Sequence, residues 1–297
     1  MKQRGGFAMT DIKTNFHTHV QRCRHAGGTE EDFVKAAISL GLSQLGFSDH
    51  GPFPDKDFGM RMPFCELREY LDELNALTVK YQADIIIWKG LEIEYLPEYR
   101  NYYEELLTTW HFDYLLMGEH FYKDSEGNNA NIYGPLPSTE HFLFYARSIA
   151  EGMKSGYFKA VAHPDLYMLN HFAWDKNCEE AADIIINTAV ATDTVLEYNA
   201  NGFRRKPENF PDGFRHPYPH DAFWKMAAQA PVRVMVGSDC HNTPSLWDDT
   251  VELAYERLRA YGIEPIMELM QGAEQHEHTR YRKTGECDPG HSVQGIK

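Results

Sequence analysis

Two histidines two residues apart open the chemistry of this chain. In Asn15-Phe-His-Thr-His-Val-Gln-Arg-Cys-Arg-His25 an extended backbone turns His17 and His19 to the same side. His25 follows where the strand should give way to a loop. Imidazoles placed in this way suit Zn, Fe, Mn and similar ions. The same event recurs down the chain: a short apolar run ends in an ionisable residue, and a helical pattern follows. The candidate donors collected from these ends are His17, His19, His25, His50, Glu92, His120, His163, Asp239 and His241. These are too many for one tetrahedral ion but suit two or three, with water and substrate completing the shells. Glu92 has two oxygens with which to bridge a pair of ions.

Closely spaced cations sharing a carboxylate suit phosphate-ester hydrolysis, in which they clamp phosphoryl oxygens and activate water. The candidates for catalytic duty are Glu92, Asp239, His50, Asp49 and Asp165. Asp49 and Asp165, like Glu94, are expected to orient imidazoles or relay protons, or else to cap local turns. Glu119, next to His120, is expected to face away from the site, and Cys240 to serve packing. Arg204 and Arg205 follow the run Glu197-Tyr-Asn199 and offer a planar fork for phosphate. Together with Glu197 and Asn199 they are the candidate substrate contacts.

The elements that must position these residues alternate regularly. Apolar runs at 45–50, 85–92, 114–118, 160–163, 195–199 and 232–238 read as strands, added to the opening one. Helical patterns span about 29–40, 64–81, 99–109, 139–156, 179–189, 221–230 and 247–261. Thr29 is a suitable N-cap and Gly41 a suitable stop for the first helix. Near-continuous apolar strands between helices predict a parallel sheet covered on its outer face. Ligand-type residues at all seven C-terminal strand ends favour a closed or nearly closed α/β barrel of seven strands, since edge strands of an open sheet could hardly reach one site. The polar segment 122–137, rich in Gly, Asn and Pro, follows His120 directly and reads as either a lid or a surface excursion.

At 297 residues with a net charge of −15, the chain is large enough for one barrel and ill suited to a nucleic-acid backbone as its main partner. Five cysteines without CxxC spacing fit a reducing compartment, so a cytoplasmic location is expected. No run has transmembrane length, so no membrane partner is expected. Residues 12–270 read as a single domain, preceded by a frayed start and followed by a polar tail at 271–297.

The motifs in combination resemble the PHP (polymerase and histidinol phosphatase) superfamily, most nearly its histidinol-phosphatase branch, over roughly residues 14–262. They are Phe16-His-Thr-His19 with His25, Phe47-Ser-Asp-His50, Gly90-Leu-Glu-Ile-Glu-Tyr95, Gly118-Glu-His120, Ala162-His-Pro-Asp165, Leu196-Glu-Tyr-Asn-Ala-Asn-Gly202 and Gly237-Ser-Asp-Cys-His241. The resemblance implies a distorted (βα)7 TIM-like barrel, the PHP fold, with Zn, Mn or Fe in a usually trinuclear site at the C-terminal strand ends. It implies one ion on His17, His19, Glu92 and Asp239, and a second sharing Glu92 with His120 and His163. The third would take His25, His50 and His241. It further implies a phosphomonoesterase yielding L-histidinol and phosphate from L-histidinol phosphate, in histidine biosynthesis. One departure bears on the substrate: Leu166 to Trp174 carries no Arg or Lys, where that branch often has a basic residue to grip phosphate. The competing readings are a phosphoesterase for another small phosphorylated metabolite or nucleotide, and a non-catalytic metal-binding accessory protein.

Overall fold

A computed structural model describes residues 12–270. The frayed start and the polar tail expected from the sequence lie outside the described residues. The chain alternates between strands and helices: β1 (Lys13–Asn15), α1 (Glu30–Ser39), β2 (Leu42–His50), α2 (Leu67–Lys80), β3 (Ile86–Ile93), α3 (Arg100–Thr108) and β4 (Tyr114–Met117). A small hairpin, β5 (Phe121–Lys123) and β6 (Asn129–Asn131), interrupts before α4 (Glu140–Ser155) and β7 (Ala160–Val161). Next come α5 (Lys176–Thr192), β8 (Val195–Asn199), the single turn α6 (Asn201–Arg204) and a second hairpin, β9 (Glu208–Phe210) with β10 (Gly213–Arg215). The series ends with α7 (Asp221–Ala227), β11 (Val234–Gly237) and α8 (Asp249–Ala260).

Seven strands pair in the order β1-β2-β3-β4-β7-β8-β11, every pair parallel. The two outer strands meet just past their ends. Thr18 and Cys240 form a parallel bridge, the His19 amide donates to the Cys240 carbonyl at 3.0 Å, and the Ser238 amide donates to Asn15 Oδ1 at 2.9 Å. The sheet is therefore a nearly closed barrel.

Its local causes are readable. Thr29 and Asp32 exchange capping hydrogen bonds at the start of α1, and Gly41 leaves the helix at φ 76°. Helix α5 begins one turn earlier than its apolar pattern, because Asp175 accepts from the Asn177 and Cys178 amides. The alternation of β4 separates two cores. Tyr114 and Leu116 pack inside the barrel with Phe16, Trp88, Ala160, Val195 and Met235, while Leu115 and Met117 pack outward under the helices. Gly46 and Gly90 admit the Tyr114 ring, since a Cβ at either would overlap it. The Tyr114 hydroxyl donates to the Phe16 carbonyl at 2.8 Å, tying the barrel interior to the segment that carries the first histidines. No helix among the described residues is long and apolar enough to cross a membrane.

Candidate metal centre

The side chains singled out by spacing converge at the C-terminal mouth of the barrel. His17 and His19 leave the end of β1, His50 ends β2, and Glu92 lies near the end of β3. His120, His163 and Asp239 follow β4, β7 and β11 within three residues, and His241 follows Asp239. His163 and Asp239 hold positive φ, 32° and 47°, which no glycine excuses. Such backbone strain persists where surrounding structure enforces it, often at functional sites.

The tautomers follow from the ring partners. His17 Nδ1 lies 2.7 Å from Glu197 Oε1, His19 Nδ1 is 3.3 Å from Asp49 Oδ1, and His120 Nδ1 is 3.1 Å from Glu94 Oε1. His25 Nδ1 and His241 Nδ1 face the carbonyls of Cys23 and Asp239, at 3.0 and 3.2 Å. Each ring donates at Nδ1 and turns a lone pair at Nε2 toward the mouth. Those lone pairs then meet one another: His17 and His19 Nε2 are 3.0 Å apart, and His25 and His241 Nε2 are 2.9 Å apart. Two acceptors at that distance repel unless a cation or a proton lies between them.

The donor set fits cations. Glu92 Oε2 lies 3.5 and 3.4 Å from His17 and His19 Nε2, and Asp239 Oδ1 lies 3.6 and 3.2 Å from the same atoms. Bonds of about 2.0–2.1 Å to a tetrahedral ion put its ligands about 3.3 Å apart, close to these separations. The other oxygen, Glu92 Oε1, is 2.9 Å from His163 Nε2 and 3.5 Å from His120 Nε2, so one carboxylate faces two donor sets. Glu92 Oε2 is buried without a hydrogen-bond partner, with His50 Nδ1 3.1 Å away. Burial opposes charge on His17 and His19, yet Glu197, Asp239, Asp49 and Glu92 pull both rings well above the usual histidine range. The carboxylates thus demand positive charge here, and bound cations would satisfy it.

Behind the donors stands a layer of carboxylates. Glu197 was a candidate substrate contact, but it is fully buried: it accepts from His17 on one oxygen and from the His163 amide on the other, at 3.0 Å. Asn199 is likewise buried and donates to Glu197 at 2.8 Å and to Asp239 at 3.2 Å. Both orient the donors and do not line the cavity. Asp49 does the same for His19. Glu94 takes a two-pronged ion pair from Arg61, both contacts 2.9 Å. Burial would raise its carboxyl, but Arg61 and His120 hold it down to about 2.

Asp165, a catalytic candidate, instead accepts from the His220 amide and from Trp224 Nε1, at 2.6 and 3.0 Å, and burial pushes its carboxyl up to about 6. It braces the loop behind His163 and does not line the cavity. Glu119 does face away, toward the Ser148 hydroxyl and the Tyr95 amide, with burial pushing it up to about 8. Gly118 and Gly237 are required by this packing. A Cβ at Gly118 would fall on the Glu92 carboxylate, and one at Gly237 on that of Glu197.

The mouth opens into a cavity of about 540 Å³. Of the two arginines expected at the phosphate, only Arg205 lines it. Its guanidinium lies between the rings of Tyr133 and Tyr218, 5.7 and 5.6 Å from their centroids. Arg204 is spent elsewhere: it forms a two-pronged pair with Asp248, at 2.8 and 3.0 Å, and donates to the Ser245 carbonyl. Arg22 and Arg24 are likewise tied to Glu30 and Glu66. Sequence spacing missed Arg61, Tyr133, Phe58 and Phe121, because the first three come from irregular segments and Phe121 opens a three-residue strand, too short for a period to betray its direction. The one available signal was a lone Arg61 in the Gly-Met-Arg-Met-Pro run, where its charge had no adjacent acid.

Comparison with known proteins points the same way. The PHP domain family matches residues 15–201. The chain is 28% identical over 231 residues to the "Probable histidinol-phosphatase" of Deinococcus radiodurans, which spans 76% of this chain and 85% of that protein. It is 23% identical over 258 residues to the histidinol-phosphatase of Bacillus subtilis, spanning 77% of this chain and 93% of that one. Among solved structures, the histidinol phosphate phosphatase of Lactococcus lactis, complexed with Zn, L-histidinol and phosphate, has a TM-score of 0.64 at 17% identity. That match covers 86% of this chain and 95% of the other, and it speaks to the fold. The stretch matched by the family begins at the first donor strand and runs past β8, through most of the donors described above, so this chain belongs to the PHP domain family, as a phosphoesterase related to the histidinol-phosphatases.

Proposed function

We propose that this chain is a metal-dependent phosphomonoesterase that hydrolyses L-histidinol phosphate to L-histidinol and phosphate. One observation carries the reading: five imidazoles donate at Nδ1 and aim Nε2 lone pairs at a mouth where Glu92 and Asp239 also converge. The names of the Deinococcus and Bacillus relatives support the substrate.

In this reading His17, His19, Glu92 and Asp239 would hold one ion, and Glu92, His120 and His163 would hold a second. His25, His50 and His241 would hold a third. When bound, two or three ions of Zn, Mn or Fe supply Lewis acidity to phosphoryl oxygens and make water a competent nucleophile near neutral pH. The protein's own groups do the rest. Glu197, Asp49 and Glu94 fix the rings by accepting their Nδ1 protons. Arg205 receives the phosphate with a planar, permanently charged fork. The flanking rings of Tyr133 and Tyr218 hold that fork in place while its rim stays open to solvent.

The test is a metal-replete assay of L-histidinol phosphate against sugar phosphates, nucleotides and p-nitrophenyl phosphate. L-histidinol phosphate should show the highest kcat/KM of the panel. A tenfold preference for a sugar phosphate or a nucleotide would assign the chain to another metabolite. No hydrolysis of any ester by the metal-replete protein would favour an accessory role.

A further inference from the structure

The cavity has a second wall, built from side chains outside the donor set. Phe58 and Met60 come from the loop after β2, Phe121 from β5, and Tyr133 from just beyond β6, and all four line the space in front of the donors. The Phe58 and Phe121 rings lie 4.5 Å apart at 30°. Tyr133 stacks on His120, with centroids 6.0 Å apart and planes at 21°. The wall is anchored: the Ile132 amide donates to the His120 carbonyl at 2.9 Å, and Asn170 Nδ2 donates to the Ile132 carbonyl at 3.0 Å.

The same cavity is poor in anions. Among the described residues lining it, the carboxylates are Glu92 and Asp239, and both are already turned to histidines. A cation on the leaving group therefore finds no uncommitted carboxylate there, whereas a flat ring finds aromatic neighbours.

We infer that this wall is the leaving-group subsite, and that it selects phosphomonoesters whose alcohol carries a planar aromatic ring, held by ring contacts and not by an ion pair. The inference rests on the phosphomonoesterase reading and narrows its substrate class. L-histidinol phosphate belongs to that class through its imidazole, and its ammonium would find no ion-pair partner in this wall.

A pair of esters with equally reactive primary alcohols isolates the effect: 2-phenylethyl phosphate and n-butyl phosphate. The wild-type protein should favour the phenyl ester by roughly tenfold in kcat/KM, the scale of one or two aromatic contacts with added apolar burial. Phe58→Leu and Phe121→Leu keep apolar volume but remove a ring face. At least one should cut the preference about threefold to tenfold, mostly through the phenyl ester, with metal content unchanged. Calorimetric binding of the matching non-hydrolysable phosphonates should show the same change in ratio. A wild-type ratio near one, or a ratio that neither variant changes, would overturn the inference while leaving the phosphomonoesterase reading intact. Hydrolysis of neither ester by the metal-replete wild type would overturn the inference and count against the wider reading as well.

Discussion

Glu92 is the residue on which the donor sets depend. Its two oxygens face different histidines, Oε2 toward His17, His19 and His50 and Oε1 toward His120 and His163. A neutral amide would offer one weak oxygen and an NH2 group that donates to the histidine lone pairs and cannot ligate a cation. Glu92→Gln should lose metal and activity together, with activity falling at least about 100-fold. Elemental analysis alongside the assay checks this, and a fully metallated, active variant would remove the bridging role. The two arginines divide by their surroundings. Arg205→Ala should cost roughly 2–4 kcal/mol in kcat/KM, with Lys restoring only part, because it keeps the charge but loses the fork. Arg204→Ala should instead lower thermal stability, since its guanidinium joins Asp248 to the Ser245 carbonyl. Melting curves beside steady-state kinetics separate the two. The donors were legible in the sequence because strand ends recur at regular intervals and His17 and His19 share the two-residue period. Which arginine turns inward was not, because Arg204 and Arg205 are adjacent at the end of a single helical turn and their partners arrive from distant segments.

At the scale of elements, the strands work because they carry glycine where a carboxylate must pass. Gly237 in β11 leaves space for Glu197 from β8, which in turn holds His17. Gly237→Ala should destabilise the fold by about 1–3 kcal/mol through overpacking and should weaken metal binding, as read by denaturation and by competition with a chelator. Unchanged metal affinity would mean that the Glu197–His17 contact is dispensable. The hairpin β5–β6 behaves differently along its length. Its base supplies Phe121 and leads into Tyr133, while its tip at 124–128 is largely exposed. Shortening the tip should leave kcat/KM within about twofold for every substrate, while Tyr133→Ala should raise KM. A large kinetic effect of the tip would restore it as a lid. The sequence marked this segment as an excursion beside His120 but could not divide wall from tip, since turn-forming residues fill both.

At the scale of the molecule, near closure of the sheet is what makes one site from seven strand ends. The strands were legible as apolar runs between helices, and the parallel order followed from that alternation. Closure was inferred only from the shared chemistry of the ends. The structure supplies the physical contact: the Thr18–Cys240 bridge brings the segments bearing His17, His19, Asp239 and His241 side by side. Convergence of this kind concentrates carboxylates and imidazole lone pairs in one mouth, a costly arrangement unless cations are bound there. The most direct test is therefore the metal content of an active preparation, measured per chain by elemental analysis and titrated back after chelation while phosphate release from L-histidinol phosphate is followed. The account predicts two to three transition-metal ions per chain, with activity recovered only as the second binds. Full activity with one ion or none would contradict it.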